Sequence, residues 1–257
     1  INNSDFSWDF GWNGTVLKNE IVSLPAANRK DGIELTTKKY LEGKSIYDFY
    51  LNEWIGVDEK DGMAMYRVDK DKYPTAPVVG ASGDSLTWTK DGRFARKHFA
   101  GSSIPKLYGG FNTNFKWKGV DLSMVFTYQL GGKTYDGAYA SLMGRSLQSG
   151  QAMHVDMKNA WREPGQKTNV PRLDAGAAGL YDALRSDRFL ISSDALMLKS
   201  ITVGYTLPKE WYRKMDVGSI RLGISGENLW LLSRRKGLNP MMNYGGVTES
   251  AIYDYAR

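Results

Sequence analysis

The chain of 257 residues contains no cysteine and only two histidines. Without cysteine it can form neither a disulfide framework nor a thiolate metal site. The two histidines, His98 and His154, fall in different predicted loops, and neither has a carboxylate at the spacing of a ligand set. We therefore expect no metal centre.

Long hydrophobic runs are missing as well. No segment approaches the roughly 18 consecutive apolar residues of a membrane-spanning helix. A transmembrane β-strand is apolar only at every second residue, so this absence does not argue against a membrane barrel. The mean hydropathy of −0.44 agrees with strands in which half of the side chains face water.

Motifs of common enzyme chemistry are incomplete. Neither residues 80–83 nor residues 223–226 have the G-x-S-x-G spacing of a nucleophile elbow. Residues 131–134 look like the end of a phosphate-binding loop, but the first glycine and the following helix are absent. Four aspartates lack the alternation with glycine that a calcium loop requires, so a solvated acidic loop is expected: Asp58, Asp61, Asp69 and Asp71. The sequence thus predicts neither an enzyme nor a cofactor.

Charge and composition limit the remaining classes. The net charge is +6, but lysine and arginine are scattered and form no basic helix, so we expect no nucleic-acid binding. The 28 glycines, 15 tyrosines and 8 tryptophans favour β-structure. Since the chain begins at Ile1 in strand-like sequence without a signal peptide, we expect it to be a piece of a longer protein.

Apolar and polar residues alternate along residues 109–130, with one tight turn at Lys118-Gly119. Each arm matches the roughly 9–11 residues that a tilted strand needs to cross a bilayer. The pattern recurs in residues 4–17, 195–207 and 218–232, although a soluble half-buried hairpin also shows such alternation. The apolar positions of the hairpin are Phe111, Phe115, Trp117, Val120, Leu122, Met124, Phe126, Tyr128 and Leu130.

Long and short connections alternate between these segments. The long ones cover about residues 58–104 and 132–189, and the short ones lie near residue 118 and at 208–217. Outer-membrane barrels have short periplasmic turns and long extracellular loops, an asymmetry that a β-sandwich does not need. Residues 46–57 are predicted as a further strand, which gives roughly six to eight strands in an all-β, antiparallel transmembrane barrel.

Several aromatic residues fall in or beside the predicted loops. Aromatic faces bind sugar rings and peptide side chains, so these residues are candidates for substrate or partner contact. The alternative is that they pack the loops against each other or against a partner. They are Trp54, Trp88, Tyr135, Tyr139, Trp161 and Tyr181.

Four segments of the chain resemble the C-terminal barrel of SusC/RagA-type TonB-dependent outer-membrane transporters. They are residues 101–135, 161–173, 186–208 and 220–240, in the order found in that family; residues 47–65 fit more loosely. Where the family often has an acidic loop containing NGDG, this chain has DKDKY at 69–73, and the family's final strand is missing after Arg257.

The resemblance implies a role in nutrient import across the outer membrane. It implies a barrel of about 22 strands around a plug, with the plug and the N-terminal strands outside this chain. It further implies a SusD-like surface lipoprotein as partner, TonB acting through the plug, and oligosaccharides or peptides as substrates. The residues expected to face the lumen are Asn112, Asn114, Lys116, Asp121, Ser123, Thr127, Gln129, Arg221 and Ser225.

Two other functions fit the same strand pattern. A passive porin or an adhesive surface barrel would lack the plug. A soluble glycan-binding β-sandwich would use the apolar face as its core and would stay in solution without detergent.

Overall fold

The computed structural model describes residues 5–82, 86–144, 152–173 and 185–242. In chain order the strands are β1 (Phe6–Val16), β2 (Ile33–Glu34), β3 (Lys39–Tyr40), β4 (Asp48–Asn52), β5 (Trp54–Val57), β6 (Ala64–Arg67), β7 (Gly80–Ser82), β8 (Leu86–Thr89), β9 (Lys97–Ser102), β10 (Leu107–Trp117), β11 (Val120–Leu130), β12 (Lys133–Tyr135), β13 (Leu190–Ser192), β14 (Ala195–Thr206) and β15 (Arg221–Ser233). The α-helices are α1 (Gly137–Gly144) and α2 (Lys209–Tyr212), and 3-10 turns cover Ala26–Asn28, Gly92–Phe94, Val155–Asn159, Asp187–Phe189 and Pro240–Met242. Neither described α-helix has the length and apolarity needed to cross a membrane.

The main sheet is antiparallel and consists of five long strands in the order β1-β10-β11-β14-β15. The strands β10 and β11 are 11 residues each and pair in full register from Leu107–Leu130 to Trp117–Val120. Lys118 and Gly119 join them with φ values of 44° and 87°. Two consecutive positive φ values match the right-handed twist of a hairpin, which explains the glycine.

One face of the main sheet is apolar. Residues paired directly across strands lie on the same face, and one such row runs through Trp8, Phe115, Leu122, Val203 and Ile224. A second row contains Trp12, Phe111, Phe126, Leu198 and Trp230.

The apolar face is exposed. Phe10 is 59% exposed, Ile224 75% and Trp230 47%. Large apolar side chains in a water-soluble sheet are normally covered by a second layer. The described residues provide no such layer over these side chains.

Two irregularities bend the sheet between β11, β14 and β15. Lys199 of β14 has no partner in the register between Phe126–Leu198 and Val125–Ser200, which marks a bulge. Beside it, Asn228 of β15 has a φ of 53° and accepts a hydrogen bond from Lys199 Nζ at 2.9 Å. Bulges of this kind increase local twist and are common in curved and closing sheets.

The connections differ in length at the two ends of the main sheet. At the turn end, residues 118–119 and 207–220 join neighbouring strands; at the loop end, residues 17–106 and 131–194 do so. The smaller sheets, β2-β3, β4-β9, β5-β6-β8-β7 and β12-β13, all belong to the loop-end connections. The predicted alternation of long and short connections is therefore present.

The first long connection begins earlier than the sequence predicted. It starts at residue 17 rather than 58, because residues 46–57 form the two short strands β4 and β5 instead of one long strand. In β4 the side chains of Phe49, Leu51 and Asn52 are all buried, so the segment is packed within the loops. The described part of the main sheet thus has five strands, fewer than the six to eight expected.

Candidate functional site

The polar face of the main sheet carries all nine residues that the sequence predicted to face a lumen. Asn112, Asn114 and Lys116 lie on β10, and Asp121, Ser123, Thr127 and Gln129 lie opposite them on β11. Arg221 and Ser225 follow on β15, in the register that pairs Ser225 with Thr202. The geometry therefore places these side chains on one surface, opposite the apolar face.

An ion pair crosses three strands of this polar face near the turn end. The Arg221 guanidinium on β15 donates to the Asp121 carboxylate on β11. Gly204 on the intervening strand β14 makes room, because a Cβ there would overlap the Arg221 guanidinium. The pair and neighbouring residues line an open cavity of about 510 Å³ that also includes Lys116, Lys118 and Asp5.

The loop end of the polar face is partly covered by the loops. The amide Nε2 of Gln129 donates to the Ser193 carbonyl at 2.6 Å, and Thr127 Oγ1 lies 3.7 Å from Met241 Sδ. Asn239 is buried, and its Oδ1 accepts a hydrogen bond from the Met241 amide at 3.1 Å. The loops thus cover part of the polar face at the loop end, whereas the described residues leave the turn end of the polar face uncovered.

A compact aromatic cluster lies between the two long connections. We define the loop cluster as Trp54, Tyr66, Tyr135, Tyr139, Arg188, Phe189 and Arg235. Phe189 is buried and makes edge contacts with the rings of Tyr135 and Tyr139, at centroid distances of 6.4 and 5.9 Å. Tyr139 Oη donates to Asp156 Oδ2 at 2.7 Å, which fixes the ring.

Two arginines complete the loop cluster. The Arg235 guanidinium lies 3.8 Å from the centroid of the Tyr139 ring, and its Nε is 2.5 Å from the buried Asp136 carboxylate. Arg188 lies 4.8 Å from the Trp54 ring and 4.9 Å from the Phe189 ring, and burial lowers the pKa of this guanidinium. Among the described residues, no carboxylate lies within 4 Å of Arg188. The guanidinium is therefore held by the two rings rather than by a carboxylate.

His98 joins the loop cluster to strand β9. Its Nε2 is 3.0 Å from Asp187 Oδ2, while Asp187 Oδ1 accepts a hydrogen bond from the Trp54 amide at 2.9 Å. The hydrogen bond to Asp187 raises the pKa of His98. Sequence reasoning missed this pair because the two residues are 89 positions apart.

The structure brings together only some of the predicted contact residues. Trp54, Tyr135 and Tyr139 meet in the loop cluster, as described above. Trp88 lies against Gly80 within the β5-β6-β8-β7 sheet, and Trp161 lies against Gly62. Tyr181 lies outside the described residues.

The first two aspartates of the acidic loop that was predicted to be solvated, Asp58 and Asp61, instead form ion pairs with a lysine. Lys90 Nζ is 2.6 Å from both Asp58 Oδ2 and Asp61 Oδ2. The same turn anchors the second long connection, because Trp161 Nε1 donates to the Glu59 carbonyl at 3.1 Å. Within the described ranges, no group of three histidines or acidic residues is arranged to hold a metal ion.

Relatives with similar sequences cover almost all of this chain. TonB-dependent receptor P3 of Formosa agariphila is 29% identical over 95% of the chain, and TonB-dependent receptor P39 of the same organism is 24% identical over 97%. The chain is thus similar to a quarter-length part of two proteins that are named TonB-dependent receptors. It spans about a quarter of their length, 24% of P3 and 27% of P39. No protein-family model matches the chain.

Solved structures share the fold of this chain. A chain of the RagAB peptide transporter superposes with a TM-score of 0.74 at 23% identity, covering 93% of this chain and 25% of the other. The RagAB peptide importer in its "open-open" state gives a TM-score of 0.65. The resemblance inferred from the sequence and the all-β, antiparallel fold class are both confirmed.

Proposed function

We propose that this chain forms the wall and extracellular loops of a TonB-dependent importer in the outer membrane. The observation that carries the proposal is the main sheet, with an exposed apolar face, a polar opposite face and long connections at one end only. An apolar face suits lipid contact and a polar face suits a water-filled lumen. Relatedness to TonB-dependent receptors supports the same role.

The polar face is proposed to line the translocation path. Its charged and amide side chains, including Lys116, Asp121 and Gln129, hydrogen-bond readily to a hydrated substrate or to a plug. The Arg221–Asp121 pair keeps the cationic side chain close to the wall. We expect the plug and the remaining strands to come from the part of the protein outside this chain.

The loop cluster is proposed to contact the substrate or the partner. Trp54, Tyr135 and Tyr139 offer aromatic rings, and Arg188 offers a guanidinium that lies between two rings. Such an arrangement suits a peptide with a carboxylate or an acidic sugar, because a guanidinium binds carboxylates in a planar, two-pronged geometry. The name of the RagAB peptide transporter supports peptides as one substrate class, and oligosaccharides remain the second.

The proposed partners are those that the resemblance to SusC/RagA-type transporters implies. A SusD-like surface lipoprotein would cover the extracellular opening, and TonB would act through the plug. On this proposal, the loop-end connections face the lipoprotein and the turn end faces the periplasm.

The test is energy-dependent uptake by cells that carry the whole receptor. Cells are given a fluorescently labelled mixture of short peptides or of oligosaccharides, with and without a protonophore. We expect uptake of one class that requires the receptor and is abolished by the protonophore. Receptor-dependent uptake that persists without proton-motive force would indicate a passive pore and contradict the proposal.

A further inference from the structure

The connection between β14 and β15 at the turn end has an ordered conformation. Pro208 precedes α2, and the turn continues through hydrogen bonds from the Trp211 amide to the Pro208 carbonyl (3.1 Å) and from the Met215 amide to the Tyr212 carbonyl (2.8 Å). The Leu207 amide donates to the Ile220 carbonyl at 2.9 Å and closes the connection. These bonds define the backbone conformation of residues 207–217, here called the turn-end segment.

Apolar side chains of the turn-end segment point outward. Tyr212 is buried, whereas its neighbour Trp211 is 72% exposed and Met215 is 58% exposed. Val217 is exposed as well. A connection in water is normally polar, so a tryptophan and a methionine presented together indicate a surface that meets something less polar than water.

Cationic residues accompany these apolar side chains. Lys209, Arg213 and Lys214 lie in the turn-end segment, with Glu210 and Asp216 as its acidic residues. Tryptophan favours the boundary between hydrocarbon and headgroups, because its ring is apolar and its N–H is polar. Lysine and arginine beside it extend their charged ends to lipid phosphates.

The adjoining strands indicate what covers this segment. Val203 on β14 and Leu222 and Ile224 on β15 are exposed on the apolar face, close to both ends of the segment. We propose that the turn-end segment is a membrane-interface anchor that binds the phospholipid headgroup region of the leaflet next to the turn end. The inference rests on the proposed outer-membrane function, since it extends the lipid-facing surface beyond the strands.

The test uses the whole receptor in liposomes of phosphatidylethanolamine and phosphatidylglycerol. Single-cysteine variants Trp211→Cys and Met215→Cys carry a small fluorophore; any cysteine elsewhere in the whole protein is replaced by serine. Quenching is measured with a nitroxide fixed at headgroup depth, with a second nitroxide fixed in the acyl chains, and with iodide in water. Ile224→Cys and Ser225→Cys are matched controls, because they are adjacent on β15 and lie on opposite faces. Unchanged heat-modifiable gel migration verifies folding.

We expect the headgroup nitroxide to quench labels at 211 and 215 at least about threefold more strongly than a label at 225, as for interfacial residues. Quenching at 211 and 215 by iodide alone, with lipid quenching at 224, would overturn the anchor and leave the proposed function intact. Protection from all three quenchers would also overturn it, because a protein partner would then cover the segment. Absence of lipid quenching at 224 as well would overturn the proposed function and the anchor together.

Discussion

Gly62, in the first long connection, contacts two residues of the second long connection. Its φ is 73°, and a Cβ at this position would overlap the ring of Trp161. Trp161 in turn donates to the Glu59 carbonyl, and the Arg172 amide donates to the Gly62 carbonyl at 2.9 Å. The glycine is required both for its backbone conformation and for the close approach of the indole.

Replacing Gly62 by alanine is expected to release residues 161–172 from the turn. An L-residue at positive φ costs about 1–2 kcal/mol, and the overlap with Trp161 adds to this. Gly43→Ala is the matched control, because Gly43 has a φ of 78° with open space around its Cβ position and lies outside the measured segment. Hydrogen exchange of residues 161–172 in the full-length protein should increase clearly more for Gly62→Ala; equal increases would contradict the role of the Trp161 contact.

The His98–Asp187 pair predicts a pH dependence within the loops. The pKa of His98 is raised in the folded state, so the stabilisation is complete below the ordinary histidine pKa of about 6.5 and is lost as pH rises through the folded-state pKa. Exchange of the Trp54 amide, corrected for the intrinsic effect of pH, should therefore rise several-fold between about pH 6 and pH 8.5. His98→Gln should abolish that rise, and a rise that persists in this variant would contradict the assignment.

Among the elements, the long strands of the main sheet could be predicted from the local sequence, whereas the short strands within the loops could not. Strict alternation located β10 and β11 within two residues of their observed ends, because one face meets an apolar and the other a polar environment. In residues 46–57 that contrast is absent, since Phe49, Leu51 and Asn52 are all buried, and the prediction of one long strand was wrong.

The candidate site likewise contains one part that could be predicted from the sequence and one part that could not. The nine residues of the polar face follow from strand phase, since period-two alternation decides on which face a residue lies. The loop cluster could not be assembled from the sequence, because Trp54, Tyr139 and Arg188 come from segments far apart in the chain. Contacts such as His98–Asp187 leave no local periodic signal.

At the level of the sheet, the two faces should respond differently to a charge. Phe126 lies mid-strand on the apolar face and stacks on Phe111, whereas Thr127 lies on the polar face. In the full-length protein, Phe126→Arg should lower the unfolding free energy by about 2–4 kcal/mol, and Thr127→Arg by far less. Urea unfolding in liposomes measures both, with Phe126→Leu as a control for the lost ring contact. Equal losses from the two arginine variants would refute the assignment of the faces.

On the scale of the whole molecule, the main sheet is incomplete by itself. Its edge strands β1 and β15 are 11 and 13 residues long, and within the described residues each pairs with one neighbour only. Long open edges cannot be tolerated in hydrocarbon, because unpaired backbone groups there cost several kcal/mol each. The proposed role therefore requires further strands on both sides, in keeping with relatives about four times as long as this chain.

The proposal that the apolar face contacts lipid is tested most directly by a cysteine scan along β11 in the full-length protein in liposomes. Residues 121–127 are replaced one at a time, labelled with a fluorophore, and exposed to a nitroxide in the acyl-chain region and to a water-soluble quencher. We predict lipid quenching at positions 122, 124 and 126 and aqueous quenching at 121, 123, 125 and 127, in strict alternation. Aqueous quenching at every position, or lipid quenching without a period of two, would contradict the account.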